Sequence, residues 1–349
     1  MTTEADHLIR VGIVGAGANS RARHIPGFQA MNRVEVTGVA NRTRESGQKA
    51  ADEFGIANVY ADWRELIEDP DTDAVCIGTW PYLHAATTIE ALEEGKHVLV
   101  EARMAMDAAE ARAMLDVSLR NPSLVAQVVP SPMTFRVDRT IEDLVAERYL
   151  GTLTAIDARI LGSAFPDFGG PLHWRQNRDL SGYNILTMGI WYEALMRWVG
   201  PASEVSARSR VAVTERRDVE GRFQTVSVPD HVDVVYELAR GGQVHLSLSA
   251  VTGLGPPGEI WLFGTEGTLR LEVDGLKLSG GKRGDDALAE IEVPAEKQGG
   301  WRVEEEFINA IRGIEPVRFT TFQDGVGYME FTEAVTRSAQ TGQAVALPL

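Results

Sequence analysis

Near its start the chain reads Val11-Gly12-Ile13-Val14-Gly15-Ala16-Gly17-Ala18-Asn19-Ser20, a short apolar run entering Gly-x-Gly-x-x-Ser. Gly15 permits a tight turn at the end of a strand, and Gly17 lets the backbone approach an anionic group closely. The small Ser20 lets the next helix sit against the strand. Such a helix points its first amides and the positive end of its dipole at a phosphate, and Asn19 is counted with that loop. The pattern is a weak signal alone. It gains force only if a parallel βαβ unit surrounds it.

The next hundred residues supply that unit. Short apolar runs at Leu8-Val14, Val34-Ala40, Ala74-Gly78, His97-Val100 and Leu124-Val129 read as strands. They alternate with helical patterns at Thr43-Phe54, His84-Glu94 and Asp107-Leu119. Gly55 and Gly95 fall where helices end, and Asp107 with Glu110 has the spacing of a capping box. Beyond about residue 130 the texture changes. Alternating runs at Thr152-Leu161, Ser203-Val213, Val232-Ala239, Gln243-Ala250, Glu259-Phe263 and Thr268-Val273 read as a largely antiparallel sheet packed on helices. Those helices are expected at Arg139-Glu147, Ile185-Val199, Val303-Ile311 and Tyr328-Ala339. The expected division is 1–130, an α/β dinucleotide-binding domain with a parallel sheet, and 131–349, an α+β domain with a large, mostly antiparallel open sheet.

At 349 residues the chain is long enough for two cores, and its net charge of −16 argues against nucleic-acid or anionic-membrane partners, which need a basic face. The expected partner is a small-molecule substrate. The single cysteine, Cys76, lies in an apolar run and reads as buried filler. No apolar stretch reaches the length of a membrane span, and Met1-His7 lacks the basic and apolar regions of a signal peptide, so a cytoplasmic location is expected. No Cys/His cluster has metal-ligand spacing. Asp230-His231 reads as a turn, and Glu304-Glu305-Glu306 as the acidic first turn of a helix.

The second strand ends in Asn41-Arg42-Thr43. An acidic residue there would accept from a ribose 2′-hydroxyl, whereas Asn and Arg suit a 2′-phosphate, so NADP(H) is favoured with NAD(H) still possible. The other reading is a solvated Arg42 followed by a Thr43 N-cap. After the run Ala74-Gly78, Thr79 and Trp80 occupy a strand C-terminus, where ligands bind in such sheets, with His84 close behind as a cofactor contact or a packing residue.

These pieces together resemble the Gfo/Idh/MocA family of NAD(P)-dependent oxidoreductases. The likeness runs nearly end to end, through "GIVGAGANSRARHIPGF" at 12–28, "GTWPYLHA" at 78–85 and "ALEEGKHVLVE" at 91–101. It continues with "HWR" at 173–175, "LFGTEGTLRLE" at 262–272 and the closing "GVGYMEFTEAVTRSAQTGQAVALPL". The resemblance implies a Rossmann domain followed by an open antiparallel sheet that carries the substrate site. It also implies a homodimer or homotetramer assembled through that sheet.

It further marks where this chain departs from its kind. Members usually carry Glu-Lys-Pro after the strand matching "HVLV"; here Glu101 is kept, but Ala102 and Arg103 follow. A second motif, usually G-G-x-x-x-D-x-G-x-H, reads Gly182 to Trp191 with Thr187 and Trp191 at the acid and histidine positions. Hydride transfer at an alcohol or carbonyl also moves a proton, and a tuned acid/base contributes about 10²–10⁴-fold. Tyr183, Tyr192 and His173 are the candidates for that role, with Arg103 as an electrostatic contact to substrate and Glu101 ordering the cofactor side. If the helix begins early enough, Tyr183, Thr187 and Trp191 share one stripe. The expected function is NADP(H)-dependent oxidation or reduction of a small polar carbonyl or hydroxyl compound. The alternatives are a dinucleotide-binding sensor or partner subunit with little activity, and a redox-assisted lyase or glycosidase.

Overall fold

A computed structural model describes residues 7–349, so Met1-His7, apart from His7, lies outside the described residues. The chain divides into two compact units. One comprises the described residues up to Pro130 with Arg302–Val326; the other comprises Ser131–Trp301 with Gly327–Leu349. The stretch 302–326, expected in the second domain, therefore lies in the first unit.

In the first unit, strands β1 (Ile9–Val14), β2 (Val34–Ala40), β3 (Asn58–Tyr60), β4 (Ala74–Ile77), β5 (His97–Val100) and β6 (Ala126–Val128) form one sheet in the order β3-β2-β1-β4-β5-β6. Every adjacent pair is parallel. The interior strands are apolar on both faces, as a sheet covered by helices on each side requires: all four residues of β4 are buried. The order reverses direction between β1 and β4, which makes their C-terminal ends the switch point where ligands bind in such sheets. The short β3 and the helix Trp63–Glu68 were not apparent in the sequence pattern.

The second unit holds β7 (Leu153–Leu161), β8 (Ala202–Arg210), a two-stranded ribbon of β9 (Glu215–Arg217) with β10 (Phe223–Thr225), then β11 (His231–Leu238), β12 (Gln243–Ser249), β13 (Glu259–Gly264), β14 (Gly267–Glu272), β15 (Lys277–Lys282), β16 (Ala289–Glu290) and β17 (Val345–Ala346). Nine of these form a mixed sheet, β16-β15-β14-β13-β7-β12-β11-β8-β17. Only β7 and β12 pair in parallel; the other neighbours are antiparallel. Alternation sets the faces: Val232, Val234, Tyr236 and Leu238 of β11 are buried, whereas Val235 and Glu237 are exposed. The buried face meets helices through Tyr192, which stacks on Phe331 at 3.6 Å, with Tyr236 edge-on to Phe331 at 5.2 Å. The first residue of this unit is anchored through its amide: Ser131 N donates to Glu193, itself paired with Arg197 at 2.9 Å, and Arg197 also holds Asp138 at 2.9 Å. Pairing is what makes three buried charges tolerable.

Candidate functional site

The dinucleotide loop is built as its residue types require. Gly15 sits at φ +91°, a conformation strained for any side chain, and its amide donates to Ala40 O at 2.8 Å. Gly17 starts the helix, accepting from Arg21 N at 3.0 Å, and a Cβ there would meet only Gly78 O at 3.3 Å. Ser20 is buried and donates from Oγ to Gly15 O at 2.9 Å, tying helix to loop. Asn41 is already engaged, because its Oδ1 accepts from Ala16 N at 2.7 Å. Thr43 caps the following helix, accepting from Ser46 N at 3.2 Å. Arg42 is exposed, with its guanidinium 5.5 Å from the centre of the Trp80 ring.

These residues surround a cavity of about 470 Å³ at the β1/β4 switch point, lined by Gly15, Gly17, Asn41, Arg42, Thr79 and Trp80 and also by Thr43. Thr79 Oγ1 is buried there and, among the described residues, has no hydrogen-bond partner. A buried hydroxyl lacking a partner loses stability unless a ligand supplies one. A glycine cradle, a helix start and this unsatisfied hydroxyl together fit a dinucleotide.

Four predicted cofactor residues lie outside that cavity lining: Asn19, Ser20, His84 and Glu101. His84 is fully buried between two carbonyls, with Nδ1 2.9 Å from Arg103 O and Nε2 3.0 Å from Thr79 O. Burial lowers its pKa, and the neutral ring can donate through one nitrogen only. It braces the backbone of Thr79. Arg103 is itself buried, at 2% exposure, and is not among the cavity residues.

Glu101 belongs to a group the sequence reading missed. His24, buried completely, stands with Nε2 3.0 Å from Glu101 Oε1 and Nδ1 2.5 Å from Glu304 Oε1. Asn19 Nδ2 donates to the same Glu101 oxygen, and Ala102 N donates to the other at 3.0 Å. Both ring nitrogens face carboxylates, which only accept, so the geometry calls for the imidazolium. Burial opposes that charge, but the hydrogen bonds and charges of Glu101 and Glu304 outweigh it and raise the His24 pKa to about 9. For Glu101, burial alone would raise the pKa, yet His24 carries it below the ordinary value. The helix Val303–Ile311 does begin with an acidic turn, but two of its three carboxylates are buried. Glu306 accepts from Arg318 N at 2.7 Å and Phe319 N at 3.0 Å. The available signal was phase: Glu304 lies on the same helix face as Phe307 and Ile308, where a carboxylate is out of place unless paired. Nearby, Cys76 is buried and its thiol pushed well up by burial and by these carboxylates, as a filler residue should be.

The second unit holds the remaining candidates. His173 is exposed and caps a short 3₁₀ turn, its Nδ1 accepting from Arg175 N at 3.2 Å. Tyr183 is half-buried beneath Arg178, whose guanidinium is 5.3 Å from the ring centre. The anticipated stripe of Tyr183, Thr187 and Trp191 does not form. Leu186 adopts φ +46°, which no α-helix accommodates, so the helix starts at Met188 with Thr187 as its N-cap and leaves Tyr183 in the preceding turn. Tyr192 is corrected from proton donor to core residue. It is 1% exposed, accepts from Ala202 N at 2.9 Å, and burial holds its phenol far above the ordinary value. His173 and Leu186 line a second cavity of about 300 Å³.

Residues 9–127 match the sequence model of an oxidoreductase family with an NAD-binding Rossmann fold, Gfo/Idh/MocA, and residues 139–270 match that of the same family's C-terminal domain. The chain belongs to the Gfo/Idh/MocA family. Among its relatives, the 1,5-anhydro-D-fructose reductase of Ensifer adhaerens is 28% identical, covering 96% of this chain and 97% of that protein. The levoglucosan dehydrogenase of Pseudarthrobacter phenanthrenivorans is 28% identical over 67% of this chain and 65% of its own length. Among solved structures, levoglucosan dehydrogenase in complex with NADH and L-sorbose superposes with a TM-score of 0.84 at 24% identity, over 97% of this chain and 99% of that one. At that identity the structural likeness is one of fold. As a Gfo/Idh/MocA protein the chain pairs an NAD-binding Rossmann domain with the family's C-terminal domain, and among the described residues no helix is long and apolar enough to cross a membrane.

Proposed function

We propose that this chain is an NADP(H)-dependent oxidoreductase acting on a small, sugar-like carbonyl or hydroxyl compound. The observation that carries the cofactor half is the switch-point cavity, where the glycine loop and an unsatisfied Thr79 hydroxyl stand ready for a dinucleotide. Arg42 supports the 2′-phosphate reading. Asn41 spends its Oδ1 on the loop and keeps Nδ2 as a donor, and the exposed guanidinium of Arg42 beside it supplies a positive, planar fork that suits a phosphate. The names of the relatives, a sugar reductase and an anhydrosugar dehydrogenase, support the substrate half. Bound NADP(H) would give or take a hydride at its nicotinamide. The chain's own part is to cradle the phosphates on Gly15 and Gly17, to offer Thr79 Oγ1 as a donor, and to exclude water from the switch point. Tyr183 and His173, both reachable from solvent, are the proposed proton carriers.

Titration calorimetry with NADPH and NADH tests the cofactor assignment. The expected result is a preference for NADPH that Arg42→Ala reduces by about tenfold without changing NADH affinity. Equal affinities, unmoved by the substitution, would sink it. Tyr183→Phe and His173→Ala are expected to reveal at least one drop in kcat of about 10²–10⁴-fold; undiminished turnover in both would remove them from the chemistry.

A second reading has its own support: Ala102 stands at the family's lysine position, Thr187 is an N-cap, and Trp191 is 4% exposed. A cofactor-binding sensor or partner subunit would bind NADPH tightly yet exchange no hydride across a panel of alcohols and carbonyls. A cytoplasmic location, with its dinucleotide pool, accompanies either reading. So does assembly as a homodimer or homotetramer through the outward face of the nine-stranded sheet. Support for the latter is the half-open Trp261 and exposed Phe263, stacked at 5.8 Å on that sheet, and sedimentation at several concentrations tests it.

A further inference from the structure

We propose that the second unit's cavity binds the carboxylate of an acidic sugar-like ligand, with Arg216 reading the charge. This rests on the reading of the chain as an oxidoreductase of small polar compounds and narrows its substrate class. The cavity, about 300 Å³, is walled largely by apolar groups, among them Phe165, Val213, Val228 and Val251. Arg216 enters from β9, where successive side chains point to opposite faces. Its neighbour Arg217 is occupied elsewhere, donating to Gly221 O at 2.8 Å and lying 3.9 Å from the centre of the Phe223 ring. Arg222 is held by Asp218 at 3.1 Å and Glu220 at 3.0 Å. Arg216 instead lines the cavity, with its Nε buried and, among the described residues, without a hydrogen-bond partner.

Among the described residues neither of the cavity's own carboxylates pairs with Arg216, and all their oxygens except Asp167 Oδ2 accept from backbone. Asp167 Oδ1 accepts from Gly169 N at 2.9 Å and Gly170 N at 3.0 Å, and Asp230 accepts from Ala212 N at 2.8 Å and Val213 N at 3.0 Å. A guanidinium nitrogen shut from water without an acceptor is destabilising, and a two-oxygen acceptor repairs it through charge-assisted bonds. A carboxylate provides those oxygens, while the C–H faces of a sugar ring suit Phe165 and the valines. A chain of net charge −16 repels acids in general, so a local guanidinium is the feature needed to hold one.

The test is calorimetric titration of the NADPH-loaded full chain with D-glucuronate, D-galacturonate and D-gluconate. Each is set against its neutral counterpart D-glucose, D-galactose or D-glucitol, and inorganic phosphate is titrated alongside. At least one acid is expected to bind about tenfold or more tightly than its counterpart. Arg216→Met should erase that advantage and Arg216→Lys retain part of it, with NADPH affinity unchanged in both. No acid preference, a preference that survives Arg216→Met, or phosphate binding as tightly as the best acid would overturn the proposal. Arg216-dependent binding without hydride exchange would retire the oxidoreductase reading and leave the cavity standing. Turnover of neutral sugars with no preference for acids would do the reverse.

Discussion

His24, which no sequence pattern singles out, is the buried link between two carboxylates of the first unit, Glu101 and Glu304. A buried ion pair contributes little compared with an apolar filling, but removing one partner strands the other and costs about 3–5 kcal/mol. His24→Gln should therefore destabilise the protein by about that amount, read as a lowered midpoint in urea. The pH dependence has a definite sign. The histidine pKa is raised in the folded state, to about 9 against an ordinary 6.5, so its contribution is complete below about pH 6.5 and is lost as pH rises through 9. Melting curves from pH 6 to 9.5 should show the wild-type protein losing stability over that interval and His24→Gln losing less. Parallel curves would show that the ring is not held as a cation. His24 escaped the sequence reading because its partner Glu304 is 280 residues away, and no local pattern joins them. Tyr192 went wrong for the opposite reason: its motif neighbourhood suggested a site, whereas its position on an apolar helix face buried it against Phe331.

At the scale of elements, the parallel strands were legible because burial on both faces leaves continuous apolar runs, and β2 and β5 fall at the residues their runs defined. β3 and the helix Trp63–Glu68 were not, being three and six residues long with too few apolar positions to set a period. The helix carrying Trp191 was legible in kind but not in its start, since a leucine at φ +46° leaves no mark on composition. Where two elements nearly touch, the demand on sequence is strictest. A Cβ on Gly78, just past β4, would overlap Ser20 Oγ and Gly15 O, both part of the loop that shapes the cavity. Gly78→Ala is thus expected to push β4 and the glycine loop apart and weaken dinucleotide binding by about tenfold or more, measured by calorimetry. Unchanged cofactor affinity would mean that the β1–β4 approach does not shape the cradle.

For the molecule as a whole, the first unit is not closed by its first 130 residues. The sequence announced the helix Val303–Ile311 at its observed bounds, yet nothing local told which core it serves. That helix supplies Glu304 to His24 and Phe307 to Phe28, whose rings lie 6.3 Å apart. The chain just after it runs antiparallel to β6, with Val128 N donating to Thr320 O at 3.0 Å and Thr320 N to Val128 O at 3.1 Å. Gln127, buried in β6, donates to Phe319 O at 2.7 Å and reaches Glu306. Cutting the chain at residue 130 would expose Phe28, leave the β6 edge unpaired and strip His24 of one carboxylate. A fragment of residues 1–130 is accordingly expected to bind NADPH far more weakly than the intact chain and to exchange its β5 and β6 amides rapidly with deuterium. Joining 302–326 to it through a flexible linker should recover both binding and protection. Full protection in the shorter fragment would mean that the returning segment decorates the Rossmann unit rather than completing it.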